Sequence, residues 1–271
     1  MELNADNYYS AEMNWKFMSV HQYLDFMSCE ARAMAKLKGE WEDEKTTPMM
    51  VGSYVDSFFE GTLDKFKKEN PDLFTQKGEL KAPYKQAEKM IERAKQDDYF
   101  MATMGFERNE DGSFTEIGKK QEIMSAYWCG CDWKIKMDSY IPDVACVDLK
   151  TSSSDLHKAW RLDDGSYVSC AEKFGYCHQS AVYTKVLEIN TGKKLPFYLS
   201  FITKEDYPEL CVVNVDEMTI NHYQNEIEMN MPQILMVKKG EVEPIRCERC
   251  AYCKSTKKLK QAISLMDLIN E

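Results

Sequence analysis

The chain has 271 residues, of which 44% are hydrophobic and 30% charged, so it can bury the core of one elaborated soluble domain or at most two. It has no apolar run of the roughly 20 residues that would cross a membrane. The net charge of −10 tells against a nucleic acid bound over a broad basic face, but not against a narrow basic channel or a carboxylate site that recruits divalent cations.

Helices are predicted for the N-terminal part, residues 1–108. Ser19 is a candidate N-cap for a helix with apolar residues at helical spacing, which should end at Gly39. Pro48 and Pro83 are each placed to begin a further helix, because proline is tolerated in the first turn.

The middle part of the chain changes to strand periodicity. Alternation over residues 116–140 predicts a hairpin that turns near Cys129-Gly130. The apolar run Val144–Lys150 predicts a strand packed on both faces, and the polar residues 151–166 predict a loop.

The last third is predicted to contain a helix over 168–188, two strands in LPFYLSFIT and ELCVVNVDE, and a helix over 216–238. Helices, three strands, a helix, two strands and a helix are the order of a mixed central sheet flanked by helices, so we expect an α/β (α+β) fold. We expect a single domain over 1–271, with a core over 109–240 and a cysteine-rich basic tail over 241–271.

Acidic and basic side chains are predicted on two neighbouring strands. Asp138 should end one strand, and Asp148 and Lys150 should share a face of the next, because successive side chains alternate. Two carboxylates at close range usually share a hard cation such as Mg²⁺ or Mn²⁺. An ammonium beside such an ion can orient a water or stabilise charge on a phosphate. Two aspartates and a lysine in this pattern are therefore the minimal set of groups for metal-assisted phosphodiester hydrolysis. The alternative is a solvated ion pair on a surface strand, because a bare Asp-x-Lys is common in sequences.

The segment KIKMDSYIPDVACVDLKTSS resembles the core of the PD-(D/E)xK nuclease superfamily, in its RecB-like and RecE-like phage exonuclease branch. Three further segments are similar to motifs of that branch, in the same order: SVHQYLDFMSCEARAMAKLKGEW, MVGSYVDSFFEG and YCHQSAVYTKVL. The resemblance implies a restriction-endonuclease-like core and a Mg²⁺-dependent DNA exonuclease that resects linear duplex ends in phage-type recombination.

Partners and location follow from the same resemblance. It implies DNA as substrate and a single-strand annealing recombinase as a possible partner, and a possible homo-oligomer, since ring-shaped oligomers occur among relatives. No basic segment followed by an apolar stretch opens the chain, so no secretory signal is predicted. We therefore expect a cytoplasmic protein, in the cytoplasm of the host cell if the gene belongs to a phage.

The resemblance also implies roles for the matched strand residues. Asp138 and Asp148 would hold the metal with the Leu149 carbonyl, and Lys150 would position the attacking water and steady the phosphate. A catalytically inactive DNA- or protein-binding module on the same fold is the alternative.

Two helices carry further matched residues. Asp56 replaces the histidine that the family often has, and either Asp56 or Glu60, one turn later, would complete the metal site; the alternative is that both belong to a polar stripe of the helix. Gln179 and Tyr183 would contact DNA, or be ordinary half-buried helix residues. The histidines show no ligand spacing, and none is assigned to the site.

Ten cysteines in a cytoplasmic protein argue against a disulfide framework. Cys247, Cys250 and Cys253 are clustered, and three thiolates need a fourth ligand for a tetrahedral zinc or a four-iron cluster. With Cys29 as that ligand, the set resembles the iron–sulfur clasp of the AddB and Cas4 groups, in which one early cysteine joins three late ones. The resemblance favours a 4Fe-4S cluster, Zn²⁺ is the alternative, and three reduced thiols in a basic tail are a further one.

Overall fold

The computed structural model describes residues 2–152, 155–162, 164–259, 261–262 and 264–265. Its helices are α1 (Ala11–Lys16), α2 (Val20–Ser28), α3 (Glu30–Leu37), α4 (Thr47–Phe59), α5 (Leu63–Glu69), α6 (Ala82–Lys95), α7 (Asp98–Thr103), α8 (Cys170–Lys173), α9 (Tyr176–Thr191), α10 (Glu217–Lys239) and α11 (Ala251–Ser255), with a 3₁₀ turn at Pro71–Leu73. Its strands are β1 (Phe17–Met18), β2 (Phe106–Arg108), β3 (Phe114–Glu116), β4 (Lys119–Trp128), β5 (Cys131–Ile141), β6 (Ala145–Ser152), β7 (Trp160–Arg161), β8 (Tyr167–Val168), β9 (Phe197–Thr203) and β10 (Leu210–Asn214).

The central sheet is mixed and has the order β1-β5-β6-β9-β10, with β4 on the other edge of β5. β6 runs parallel to β9 and antiparallel to β5, and β10 is antiparallel to β9. Helices cover both faces: one apolar cluster joins the sheet to α2, α9 and α10, and the other joins it to α4, α6 and α7. The predicted fold class, a mixed sheet flanked by helices, is confirmed.

One edge of β5 is only partly paired. β4 occupies the first edge over almost the whole strand. On the second edge, β1 pairs at Asp132 and Trp133 and β6 pairs at 139–141, so residues 134–138 have no strand partner there in the described part of the chain. We call this stretch the open edge of β5.

Side chains satisfy backbone groups at the open edge. The Tyr183 hydroxyl donates to the Lys136 carbonyl at 2.9 Å, and the Tyr8 hydroxyl donates to the Lys134 carbonyl at 3.4 Å. Buried carbonyls without a partner are costly, so these two tyrosines take the place of a neighbouring strand.

Two predicted helices are each broken in two. The helix predicted from Ser19 to Gly39 stops at Cys29, whose extended backbone (φ −167°, ψ 106°) separates α2 from α3. The helix predicted over 168–188 is interrupted at Gly175, where φ is +74° and an added Cβ would lie 2.6 Å from Leu24 Cδ1. Close packing onto α2 and a left-handed backbone therefore require glycine at this position.

The predicted caps and turns agree with the structure at several positions. The Ser19 side chain caps α2, and Pro48 and Pro83 lie in the first turns of α4 and α6. Left-handed backbone at Cys129 and Gly130 forms the turn between β4 and β5.

The loop prediction for 151–166 was too simple. β6 continues to Ser152, and the segment also contributes β7 to a small hairpin with β8; residues 153, 154 and 163 lie outside the described residues. No described helix combines the length and apolar character that crossing a bilayer requires.

Candidate active site

A cavity of about 520 Å³ lies beside the open edge of β5. Its lining brings together the five charged residues that the sequence singled out, and these are Asp56, Glu60, Asp138, Asp148 and Lys150. Asp138 lies inside β5, three residues before its end, whereas the sequence analysis placed it at the strand end. The structure shows that the five side chains line one cavity, and their catalytic and metal-binding roles stay predictions.

The register of β5 and β6 explains why the two aspartates meet. Ser139 pairs with Val147 in the last rung of the ladder, so Asp138 and Asp148 are the next facing pair, where the strands separate. Asp138 Oδ2 accepts a hydrogen bond from the Leu149 N–H at 2.9 Å, which replaces a rung of the ladder. The antiparallel pairing therefore holds the two carboxylates next to each other.

Asp148 is the more buried of the pair, with 3% of its surface exposed. Its Oδ1 accepts a hydrogen bond from the Gln179 side-chain amide. Its Oδ2 forms an ion pair with the Lys150 ammonium, and no other described donor binds it. One carboxylate oxygen is thus oriented by α9, and the other still has capacity to bind a cation.

The electrostatics show that the carboxylates lack sufficient positive charge. Burial and the nearby Asp148 raise the pKa of Asp138 to about 7, against the partial compensation from Lys150. Burial and Asp138 also raise the pKa of Asp56 well above its ordinary value. Burial alone would lower the pKa of Lys150, but the two aspartates on the strands outweigh it and the pKa is raised. One ammonium therefore faces several carboxylates, an arrangement that a divalent cation would relieve.

Helix α4 approaches the site through Gly52, one turn before Asp56. A Cβ on Gly52 would lie 3.1 Å from Thr151 Oγ1 at the end of β6, so a larger residue would push the helix away. Asp56 responds strongly to the charge of Asp138, whereas Glu60 Oε2 accepts a hydrogen bond from Thr62 at 3.2 Å. Glu60 also contributes to the raised pKa of Asp138, so the charges of both carboxylates reach the strand pair, and the hydrogen bond to Thr62 is what distinguishes Glu60 from Asp56.

Tyr183, which resemblance linked to DNA, makes an intramolecular contact. Its hydroxyl binds the Lys136 carbonyl, and only 8% of the residue is exposed. Gln179 is also buried and is bonded to Asp148. Both residues support the site from α9, and direct DNA contact stays a prediction.

Gln121 and His21 are among the cavity-lining residues that the sequence did not single out. Gln121 has a left-handed backbone (φ 52°) within β4 and donates to Asp138 Oδ1 at 3.3 Å, while its Oε1 is buried with no hydrogen-bond partner among the described residues. His21 also lines the cavity, and its pKa is lowered by burial and by the charge of Lys150. Nothing in the alternation of β4 indicates a left-handed glutamine, and His21 lacks any partner at ligand spacing.

The four cysteines of the predicted clasp lie together. Their sulfur atoms are all within 4.8 Å of one another, with Cys29 Sγ 3.6 Å and Cys247 Sγ 3.9 Å from Cys253 Sγ. The break between α2 and α3 presents Cys29, and Cys250 caps α11, which carries Cys253. Backbone N–H groups lower the pKa of Cys247 to about 6, which favours the thiolate that a metal would bind.

Part of the basic tail supports this cluster. Arg246 donates to the Cys253 carbonyl at 2.6 Å and pairs with Glu248 at 2.7 Å. Its charge is therefore engaged within the loop. Lys260, which belongs to the same basic stretch, lies outside the described residues.

Comparison with known proteins gives two informative matches. Residues 19–256 match the family model described as "PDDEXK-like domain of unknown function (DUF3799)". The crystal structure of a "Putative exonuclease" from Eubacterium rectale is 48% identical, with a TM-score of 0.91 over 99% of this chain and 98% of that chain. The solved structure of "SSO0001" is 13% identical over 77% of this chain and 82% of that chain, with a TM-score of only 0.27. No curated protein matches the chain.

Proposed function

Because the chain belongs to the family of PDDEXK-like domains described as DUF3799, we propose that it is a divalent-metal-dependent DNA nuclease that acts as an exonuclease on linear duplex ends. The observation that carries the proposal is the meeting of Asp138, Asp148 and Lys150 in one cavity at the open edge of β5. The 48% identical relative, whose name includes the word exonuclease, supports the same class of reaction.

The carboxylates fit a hard cation. Asp148 Oδ2 is buried with the Lys150 ammonium as its only partner among the described residues, and burial together with the charge of Asp148 raises the pKa of Asp138. Asp138, Asp148 and Asp56 would hold Mg²⁺ or Mn²⁺, with the Leu149 carbonyl as a further oxygen ligand. When bound, the ion would act as a Lewis acid on the phosphoryl group and neutralise the carboxylates.

The side chains around the carboxylates have separate tasks. Lys150 stays an ammonium because its pKa is raised, so it cannot remove a proton from water. It donates hydrogen bonds instead, which orients a water toward phosphorus and stabilises the negative charge that grows as the bond to the leaving oxygen breaks. Gln179 and Gln121 each hold one of the two aspartates in place.

The test is cleavage of linear duplex DNA and of a covalently closed circle of the same sequence, in Mg²⁺ and in Mn²⁺. We expect nucleotides to be released from the linear DNA only, and Lys150→Ala to reduce kcat at least 100-fold. Lys193→Ala is the matched control, because Lys193 pairs with Asp143 outside the cavity. Cleavage of the circle would assign an endonuclease, and equal rates for wild type and Lys150→Ala would remove Lys150 from the reaction.

The inactive binding module predicts a different result from the same proteins. It would bind DNA or a protein partner, yet release no nucleotides at any concentration of either cation. Calorimetric titration with Mn²⁺ tests the metal site itself. Asp138→Asn is expected to lose Mn²⁺ binding only if the carboxylates hold the ion.

We assign the third carboxylate to Asp56 rather than to Glu60. Asp56 shares the electrostatic field of Asp138, and Glu60 is hydrogen-bonded to Thr62. Asp56→Asn should therefore weaken Mn²⁺ binding more than Glu60→Gln does. The reverse order would move the assignment to Glu60.

We also propose that Cys29, Cys247, Cys250 and Cys253 hold a structural metal. Resemblance favours a 4Fe-4S cluster, but the sulfur spacing supports the zinc alternative. Tetrahedral sulfurs at about 2.3 Å from a zinc ion lie roughly 3.8 Å apart, and two of the pairs here lie 3.6 and 3.9 Å apart. A four-iron cluster needs more room, because each sulfur binds a different corner of the cluster.

Metal analysis of protein purified without oxygen tests this assignment. We expect about one zinc per chain and no visible absorbance, with the zinc lost in Cys250→Ser. A brown preparation with four irons per chain would establish the cluster instead. Ser255→Ala on the same helix is the control, because its hydroxyl binds only the Tyr252 carbonyl.

The biological setting of the proposal follows from the resemblance. End resection in phage-type recombination would supply single strands to an annealing protein, and self-association would hold the enzyme on one DNA molecule. Light scattering and co-purification with a candidate annealing protein test the two ideas separately.

A further inference from the structure

We propose that Tyr9 and Lys136 form a subsite for one unpaired nucleotide, beside the carboxylates of the cavity. The Lys136 ammonium binds the phosphate of that nucleotide, and the Tyr9 ring stacks on its base. The proposal rests on the nuclease function and names its substrate class: a DNA strand whose end is single-stranded.

Lys136 is the available cation of the cavity. Of the other lining lysines, Lys150 pairs with Asp148, and Lys36 pairs with Asp25 at 2.8 Å and also with Asp43. Lys134 donates to Asn14 Oδ1 at 2.8 Å and to the Tyr8 carbonyl.

Lys136, by contrast, has no hydrogen-bond acceptor or carboxylate partner for its ammonium within the described ranges, and its contacts are with the rings of Tyr8 and Tyr9. An unpaired ammonium in an acidic cavity is suited to bind an anion of the substrate.

The position of Lys136 matches a phosphate next to the reacting one. It lies on the same face of β5 as Asp138, two residues away, which is about 7 Å along a strand. Tyr183 fixes the backbone at this point through its hydrogen bond to the Lys136 carbonyl. The ammonium therefore stands at a set distance from the carboxylates.

Tyr9 provides an aromatic face at the same place. The residue is 71% exposed, and the centroid of its ring lies 5.0 Å from the Lys136 ammonium. The ring lies edge-on to Tyr8 at 4.9 Å, and Tyr8 in turn is buried and held by Lys134. An exposed aromatic ring on a pinned segment costs little to order when a base stacks on it, and stacking does not depend on base identity.

The aromatic part of the subsite lies outside the segment that the family model matches, whereas Lys136 lies inside it. The family match begins at residue 19, whereas Tyr8 and Tyr9 precede it. Stacking on Tyr9 while the phosphate of the same nucleotide binds Lys136 would take the base out of the duplex, so the subsite predicts that frayed or single-stranded ends are bound better than blunt ends.

The test uses the full chain with Ca²⁺ in place of Mg²⁺ and a fluorescent 12-nucleotide single strand. We expect Tyr9→Ala to weaken binding about tenfold and Tyr9→Phe to bind like wild type, since stacking needs only the ring. Lys136→Gln should reduce the slope of log K against log salt by about 0.7, the loss of one phosphate contact, while Tyr9→Ala leaves the slope unchanged. Tyr207→Ala and Lys89→Gln are matched controls, because the two residues flank a separate surface depression.

Stacking itself is read with 2-aminopurine, placed in turn at the first two positions from either end. Wild type and Tyr9→Phe should quench one of these probes and Tyr9→Ala should not. In cleavage, wild type should prefer duplexes with three unpaired terminal nucleotides over blunt duplexes, and Tyr9→Ala should lose that preference through KM.

The outcomes separate this subsite from the nuclease function. If the wild type cleaves DNA and Lys150→Ala does not, but Tyr9→Ala binds and quenches like Tyr207→Ala, the subsite is refuted and the nuclease stands. If the wild type neither cleaves nor binds DNA with any divalent cation, the nuclease function is refuted and the subsite with it.

Discussion

Replacing Asp138 by asparagine should stabilise the protein in the absence of divalent cations while it removes the metal site. Burial and Asp148 raise the pKa of Asp138 to about 7, so above pH 7 the folded protein must hold a carboxylate that would prefer a proton. Asparagine keeps an oxygen to accept the hydrogen bond from the Leu149 N–H, but it carries no charge.

The magnitude follows from the pKa. A carboxyl group raised from its ordinary value to about 7 costs the folded state up to about 4 kcal/mol at pH 8, since each pKa unit is worth about 1.4 kcal/mol. Water in the cavity screens part of this, so we expect about 2 kcal/mol. The sign is set by proton binding: the folded protein binds the proton more tightly, so wild-type stability falls as the pH rises from about 4 to about 7 and is then constant.

The assay is thermal or urea unfolding of both proteins in EDTA at several pH values. The difference between them should grow from pH 4 to pH 7 and level off above it, reaching roughly 4 to 8 °C in Tm. Saturating Mg²⁺ should reverse the order, because only the wild type gains from binding. Asp132→Asn, on the same strand but outside the cavity lining, is the control. A difference that is absent at pH 8, or that does not change with pH, would refute the electrostatic reasoning.

Three further substitutions probe other parts of the structure. Gln121→Met should lower Mn²⁺ affinity about 10- to 100-fold in calorimetry, the usual effect of losing a partner that orients a ligand; unchanged affinity would mean that the contact with Asp138 is incidental. Gly175→Ala should lower the free energy of unfolding in urea by about 1 to 3 kcal/mol, because its Cβ would meet Leu24, and an unchanged midpoint would mean that α2 can shift at no cost. Cys250→Ser should have a lower Tm than the wild type, and a strong chelator should not change it further. If the chelator leaves the Tm of the wild type unchanged, the proposal of a structural metal is wrong.

The strands of the site were predictable because their signals are local. Alternation in β5 and β6 sets which residues face the same way, and a short connection between them makes the strands neighbours. Those two facts are sufficient to bring Asp138, Asp148 and Lys150 together. The prediction that Asp138 ends the strand was wrong because it overlooked a local signal: the same alternation continues for three residues beyond Asp138, to the end of β5.

The break at Cys29 and the position of Tyr9 in the cavity were not predictable, because each depends on residues that are distant in the sequence. Apolar spacing continues through Cys29 with no change of period, so the break there depends on packing against the C-terminal cysteines rather than on local sequence. Gly175 offered a local signal, a glycine inside a helical pattern just after the capping box of Ser169 and Glu172. Tyr9 offered none, because its neighbour Lys136 is 127 positions away and residues 2–10 carry no periodic pattern.

The open edge of β5 joins these observations. A strand edge with unpaired backbone groups is normally a liability that proteins cover, and here it is covered by the hydroxyls of Tyr8 and Tyr183 and not by another strand. If β6 had paired along the whole of β5, the carboxylate of Asp138 could not reach the Leu149 N–H, and no cavity would separate Asp148 from Lys136. The interrupted ladder is thus what makes room for a substrate at this point of the sheet. The cost of the interruption is offset by Tyr8 and Tyr183, which are far apart in the sequence, and Tyr8 also holds Tyr9 at the cavity rim.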